Sequence, residues 1–436
     1  MSKKGRYLLI ALGFVFFAVA APLIVLFVRG LKYDFKEKKF VATGIISVRT
    51  QPDDAEIYLD GVLAKTSSGE LRFLDAKNYL VNARKPGYFD WTKNLRVENN
   101  KVTLANPANN KIYLLLKEQS PETILKNVLD FILWPNGSAA ISGNSLLVSG
   151  AQDLANPKTA PLPKTVSKIQ ASPDYQIFLL LQEPGQNQNA QVLWYDRKSE
   201  KLLDLESLFQ SPKNLPVFYF SQNNRLFARI DNALYEINPE NSSKQLILPK
   251  IMAVQVSGQT IYSLTQEAEG GKLSSLSLET GIKQVLAADV PKFDTASIFI
   301  NAQKRIFLAS HNKLYAFSTQ GLSLIAENIT NLTADNPNNP MAFLSSGELR
   351  FLDEQNKNFL VTRLSEDIKL QAIHKPIGYA FFIKNSVLTA LELDQSHPQN
   401  SYPIYRGKNI LKYFADEEVK NMLILDEGEL KKIRIR

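Results

Sequence analysis

The chain carries three successive patterns of apolar and polar positions. From Tyr7 to Val28 the run YLLIALGFVFFAVAAPLIVLFV holds no charged residue. As a helix at ~1.5 Å per residue it spans about 33 Å, enough to cross a hydrocarbon core. Lys3, Lys4 and Arg6 precede it; Arg29 and Lys32 follow. Ala18-Val19-Ala20 has the small-x-small form of a cleavage site. The apolar run continues past it, beyond the ~7–15 residues of a signal-peptide core. The pattern therefore predicts an uncleaved transmembrane anchor over 7–28 behind a cytoplasmic tail at 1–6. Positive charge on both sides nearly balances the positive-inside rule; the short basic tail favours a cytoplasmic N-terminus. A short linker, 29–43, follows.

From Gly44 the period changes to two. GIISVRT, AEIYLDG, ELRFL and NYLVNARKPGY alternate as half-buried strands do, and KIYLLLK closes the segment at Lys117. Asp60-Gly61 between apolar runs predicts a hairpin, and Pro86-Gly87 a second turn. A small β-sandwich over 44–118 is expected. Ser120-Pro121-Glu122 then reads as a helix start. Ile124, Leu125, Val128, Leu129 and Ile132 share one helical face, so 119–135 is expected to be a connector helix.

The third pattern is a repeat. A polar turn, a large apolar strand and a second strand recur as SPDYQIFLLL at 172, SQNNRLFARI at 221, VSGQTIYSL at 256, NAQKRIFLAS at 301, NPNNPMAFLS at 336, HKPIGYAFFI at 374 and DEEVKNMLIL at 416. The steps of 35–49 residues lie within or near those of propeller blades, about 40–50 residues. A further strand follows in each unit: VLWYDR, ALYEIN, LSSLSL, KLYAFS, ELRFLD, VLTALEL and ELKKIRI. The expectation is a mainly β chain ending in a propeller of about seven blades over 136–436. The last unit stops after its third strand, and ISGNSLLVSG, at Ile141, is expected to complete it and close the ring.

The first β segment resembles the PEGA domain. The matching residues are Pro52, Ala55, Ile57, Tyr58, Leu59, Asp60, Gly61, Lys65, Thr66, Tyr79, Val81, Lys85, Gly87 and Tyr88, with Pro52-Asp53-Asp54-Ala55 in place of the eponymous tetrapeptide. The resemblance implies a small β-sandwich of prokaryotic surface proteins and transfers no catalytic residue. Ser172-Pro173-Asp174 before an apolar strand resembles the repeat of TolB-type and WD-type propellers.

Composition narrows the function. The chain has no cysteine, which excludes disulfides, thiolate metal sites and cysteine nucleophiles. The formal charge is +8, but Lys3, Lys4, Arg6, Arg29 and Lys32 supply five of it, and from 119 onward 32 basic residues meet 32 acidic ones. That balance lends no support to a nucleic-acid partner. His311, His374 and His397 lie in different repeats without metal-ligand spacing and read as turn or surface residues. Asp60 reads as a turn carboxylate, and Tyr88 and Trp91 as cover for one face of the sandwich. Asp416-Glu417-Glu418 and Asp426-Glu427 lack the alternating oxygen ligands of a calcium loop and read as turns. The glycan-acceptor patterns at Asn136, Asn241, Asn328 and Asn331 read as chance turn sequences in a prokaryotic chain.

No catalytic, cofactor-binding or metal residue is assigned, and no cofactor is expected. The expected protein is a non-enzymatic, single-pass protein of the cell membrane whose sandwich and propeller lie outside the cytoplasm and bind or scaffold an envelope protein or polysaccharide. The polar loops PGQNQNA at 184 and DNPNNP at 335 are candidate recognition elements. A propeller hydrolase acting on a surface glycan or peptide is the alternative, and it requires paired carboxylates facing a polar channel.

Overall fold

The computed structural model describes residues 3–28, 30–35, 37–107, 110–117, 120–152, 154–183, 190–209, 215–266, 270–301, 303–333, 341–352, 357–364, 368–374, 377–394, 396, 398–416 and 418–436, with side chains at 3–11, 27–28 and 370–374 outside that description. The loops at 184 and 335, His397 and Glu417 fall outside it wholly or in large part, as does the side chain of His374.

Helix α1 (Lys3–Val28) contains the apolar run, with Pro22 inside it. Among the described residues no helix is long and apolar enough to cross a membrane; the side chains of α1 are described only from 12 to 26. The expected linker is instead folded. Strands β1 (Leu31–Asp34) and β2 (Lys39–Ala42) form an antiparallel hairpin.

The sandwich follows. One sheet runs in the order Val62–Lys65, Glu56–Leu59, Asn78–Arg84, Trp91–Arg96; the other in the order Val102–Leu104, Gly44–Val48, Gly69–Leu74. Alternation sends Ile46, Val48, Ile57, Val81, Ala83 and Trp91 inward, where each is fully buried. The Asp60-Gly61 turn sits as expected, both residues at positive φ (48° and 83°) between paired strands. Pro52 lies in the turn before Glu56–Leu59.

The described part of the expected connector helix, 120–135, is not a helix. Glu122–Leu125 and Val128–Trp134 are strands, and between them Asn127 takes φ +57°, which no continuous helix allows. The β-branched and aromatic run VLDFILW finds a sheet partner in Gly137–Ser142, and pairing outweighs the local capping signal. Leu129, assigned to a buried helical face, is 42% exposed, whereas Phe131 is fully buried.

Among the described residues the rest is a ring of eight four-stranded antiparallel sheets, one more than the repeat predicts. Blade 1 comprises Val128–Trp134, Gly137–Ser142, Ser145–Ser149 and Lys158–Pro161. Its first strand was hidden in the expected helix, and ISGNSLLVSG belongs to its second and third strands. Blades 2 to 8 begin at Lys168, Val217, Ile251, Ser297, Ile329, Lys369 and Ile410. First strands of adjacent blades touch one another, as at Val128–Trp134 with Lys168–Ala171, so they form the inner wall. Blade 8 has three C-terminal strands, and its fourth is Glu122–Leu125, paired antiparallel to Glu429–Arg434 (Glu122↔Lys432, Thr123↔Lys431). The two ends of the array therefore close the ring, through a different strand from the one expected.

Separate apolar clusters weld each blade to the next. Phe178 and Tyr195 of blade 2 pack on Trp134 and Ile141 of blade 1, and Leu423, Leu425 and Leu430 of blade 8 pack on Val128 and Phe131 of blade 1. Phe178, Phe227, Phe307, Phe343 and Phe381 recur on the second strands of blades 2, 3, 5, 6 and 7, all fully buried. They are the structural content of the repeat.

Candidate functional site

Three polar constellations stand out: the seam between sandwich and propeller, a bridge on the inner wall, and a cavity beside the seam. The seam is built on Trp91–Arg96. Alternation buries Trp91 and Lys93 on one face of that strand, and both reach blade 7. Trp91 Nε1 donates to Glu392 Oε1 at 2.9 Å. Lys93, 0% exposed, lies 3.1 Å from Glu392 Oε2 and 3.5 Å from Asp394 Oδ2. Its ammonium also donates to the carbonyls of Asp394 (2.9 Å) and Ser396 (2.7 Å). Asn400 Nδ2 completes Glu392 at 2.7 Å. A charge pair this dry is tolerated only because every strong donor and acceptor in it is matched.

Apolar and tyrosine contacts extend the seam. Phe89 stacks on Tyr402 with ring centroids 4.9 Å apart. Tyr402 OH donates to the Asp90 carbonyl at 3.0 Å, and Tyr379 OH to the Tyr113 carbonyl at 3.0 Å. Burial pushes both phenols well above their ordinary ionisation range, so they stay neutral donors. Leu115 is buried in the cluster joining blades 7 and 8, and Leu116 N donates to the Ile435 carbonyl at 3.1 Å. The sandwich is thus a docked body.

The inner-wall bridge is Asp130–Lys412. A register shift in the first strand of blade 1 precedes Asp130, and the same shift precedes Lys412 in blade 8. Lys412 Nζ lies 2.8 Å from Asp130 Oδ1 and donates to the Phe131 carbonyl at 2.8 Å. Asp130 Oδ2 accepts from Ile169 N of blade 2 at 3.0 Å, and Gln170 passes the chain of contacts to the Phe218 carbonyl of blade 3. The carboxylate is neutralised and spans three blades, which suits a brace rather than an acid catalyst. The apolar-x-polar spacing Val128-Leu129-Asp130 and Ile410-Leu411-Lys412 is the sequence signal that was missed.

The cavity, about 390 Å³, lies between blades 1 and 8 and is lined by Leu133, Asn136, Gln152, Phe414, Asp416 and Lys432 among others. It opens among the connections from first to second and from third to fourth strands, as the seam does, so both share one face of the ring. Asp416 there is committed to its own turn, accepting from Lys420 N (2.6 Å) and Asn421 N (3.0 Å).

The residues singled out from sequence are dispersed. Asp60 accepts from Leu80 N at 2.9 Å, and that bond, with Lys77 beside it, holds its carboxyl below the ordinary value. Tyr88 is half-buried against the sandwich core. Trp91 is a seam residue, a role the sequence did not signal. His311 occupies a two-residue hairpin at φ +48°, with Nε2 3.2 Å from Asp294 Oδ2. Asp426 is buried and accepts from Asn409 N, Tyr405 OH, Lys431 Nζ and Lys408 N at 2.8–3.0 Å. A Cβ on Gly407 would come 2.8 Å from its Oδ1. Burial raises the Asp426 carboxyl, but these bonds outweigh it and the net shift is downward. Among the described residues no group of three or more His, Cys, Asp or Glu is arranged to hold a metal ion.

Comparison with known proteins agrees with this architecture. Residues 43–111 match the PEGA domain. No curated protein matches the chain in sequence. Among solved structures, a crystal structure of a eukaryotic initiation factor is 11% identical with a TM-score of 0.52, over 72% of this chain and 87% of that one. An oligogalacturonate lyase in complex with manganese is 8% identical with a TM-score of 0.42, over 74% of this chain and 99% of that one. PorZ, a surface component of the type-IX secretion system of Porphyromonas gingivalis, is 12% identical with a TM-score of 0.40, over 70% and 42%. The structural neighbours are β-propeller proteins; at such identities the likeness concerns the fold alone.

Proposed function

We propose that this protein is a single-pass membrane protein that presents its sandwich and propeller outside the cytoplasm as one rigid platform, and that the platform holds an envelope protein or polysaccharide without catalysing a reaction. The observation that carries the reading is the seam. A buried, fully matched Lys93–Glu392 pair ties the membrane-proximal sandwich to blade 7, which suits a part that must present a surface in a fixed orientation. The neutralised Asp130 on the inner wall supports binding over hydrolysis.

Helix α1 supports the anchor. Its 26 residues would extend about 39 Å at ~1.5 Å per residue. Leu12, Phe14, Phe16 and Phe17 are each 66–74% exposed, with no protein surface covering them. A helix apolar on all sides needs an apolar surrounding. Lys3, Lys4 and Arg6 suit the cytoplasmic end.

The test uses the full chain. Carbonate washing should leave it in the membrane fraction, and protease added outside should reach the propeller. A mature N-terminus at Ala21 would refute the anchor. Capture from envelope extract should retain a protein or polysaccharide with a weak dependence on salt. Retained nucleic acid with a steep salt slope would overturn the partner class, and turnover of a glycan or peptide would overturn the non-catalytic reading.

A further inference from the structure

The geometry points to a second membrane contact: the β1–β2 hairpin is an interfacial collar that seats its aromatic tip in the headgroup layer of an anionic lipid surface. The inference rests on the anchor reading of α1 and deepens it.

Three rings cluster on the hairpin. Tyr33 lies 5.1 Å from Phe35 and 5.2 Å from Phe40, both edge-on. Phe35 is 84% exposed, Phe40 50% and Tyr33 41%. Tyr33 and Phe40 face each other across the strands, which is worth at most ~1 kcal/mol and leaves Phe35 almost wholly in solvent. At a membrane interface, amphipathic rings are the side chains that settle.

Position commits the occupant. Only Arg29 and Gly30 separate the end of α1 at Val28 from Leu31, so the hairpin starts at most ~11 Å beyond the helix. The headgroup region on each side of the hydrocarbon core is about 5–8 Å thick. Gly30, at φ +68°, turns the chain there, and α1 touches β1. The hairpin is also held from behind. Lys32 pairs with Asp75 of the sandwich at 2.8 Å, and that hydrogen bond raises its pKa. Thr43 N donates to the Gly30 carbonyl at 3.1 Å. Its orientation is therefore set by the folded domain.

Charge favours an anionic surface. Residues 29–39 hold five basic side chains (Arg29, Lys32, Lys36, Lys38, Lys39) and two acidic ones (Asp34, Glu37), a net of +3, or +2 once Asp75, the partner of Lys32, is counted. Lys39 is engaged by Glu37 at 3.2 Å, but that pair is open to solvent and exchanges readily for a lipid phosphate. Basic residues beside interfacial aromatics attract acidic lipid.

The absence of native cysteine makes the test direct. Single variants Glu37→Cys at the hairpin tip, Phe16→Cys in the helix and Leu246→Cys on the exposed rim of blade 3 are spin-labelled in the full chain. Each is reconstituted into phosphatidylcholine vesicles with and without phosphatidylglycerol. Collision with oxygen, which partitions into lipid, is compared with collision with a water-soluble nickel chelate. The label at 37 should read severalfold more lipid-like than that at 246 and less than that at 16, more so with phosphatidylglycerol. Adding Phe35→Ser and Phe40→Ser should return it to the value at 246. A label at 37 that matches 246 while 16 reads as lipid-embedded overturns the collar and leaves the anchor standing. A label at 16 that reads as aqueous overturns the anchor, and the collar with it.

Discussion

Replacing Lys93 with methionine isolates the chemistry of the seam. Methionine keeps most of the stem and removes the ammonium. Four acceptors then lose their partner: the carbonyls of Ser396 and Asp394 at 2.7 and 2.9 Å, and the carboxylates of Glu392 and Asp394 at 3.1 and 3.5 Å. Asp394, 20% exposed, turns to water, but Glu392, 4% exposed, has no such route. Trp91 Nε1 and Asn400 Nδ2 still donate to it, without supplying charge. Breaking a buried pair from one side costs about 3–5 kcal/mol. Lys93→Met should therefore destabilise the docked unit by about that amount. Most of the loss is the stranded carboxylate, so Glu392→Gln in the same chain should restore at least about 1 kcal/mol, the scale of coupling between residues in contact. The assay is urea unfolding of the detergent-solubilised full chain, followed by tryptophan emission with Trp91 at the seam. An unchanged midpoint in Lys93→Met, or strictly additive effects in the pair, would refute the assignment of the seam to this ion pair.

Three further outcomes follow from the fold. Ending the chain after Leu423 removes Glu429–Arg434 and leaves Glu122–Leu125 without a partner; the propeller should lose its single cooperative transition, and unchanged melting of the remaining β structure would favour independent stacked repeats. Asp130→Ala should cost about 1.5–3 kcal/mol, because it strands Lys412 and the Ile169 N–H together; a urea midpoint equal to wild type would remove the brace. Asp426, whose folded-state pKa is depressed, contributes stability that is complete above its unfolded value, about 3.9, and is lost as pH falls through the folded value. Asp426→Asn should be less stable at neutral pH yet flatter in its acid-unfolding profile, and a profile parallel to wild type would contradict the linkage.

The repeat was legible because Phe178, Phe227, Phe307, Phe343 and Phe381 are each fully buried on the second strand of a blade, and the sandwich because turn residues punctuate its alternation. Blade 1 was not legible. Its second strand, GSAAIS, carries small residues where blades 2, 3, 5, 6 and 7 carry Phe, and its first strand has a spacing that suits a helix equally well. Only the left-handed Asn127 and the partner strands separate the two readings. The closing strand is Glu122–Leu125 and not the expected ISGNSLLVSG; it was missed because its four residues have no distinctive composition and lie within the helix-like spacing. The seam left no local trace: Lys93 reads as a solvated strand residue until Glu392, some three hundred positions later, is placed beside it.

Whether sandwich and propeller move as one body is the claim on which platform and presentation both depend. It is measured most directly as a distance distribution between two spin labels in the full chain reconstituted in vesicles, one at Leu63→Cys on the exposed edge strand of the sandwich and one at Leu246→Cys on the rim of blade 3. The docked seam predicts a single narrow distance that broadens in Lys93→Met. A broad distribution in the otherwise unaltered chain would contradict the rigid platform.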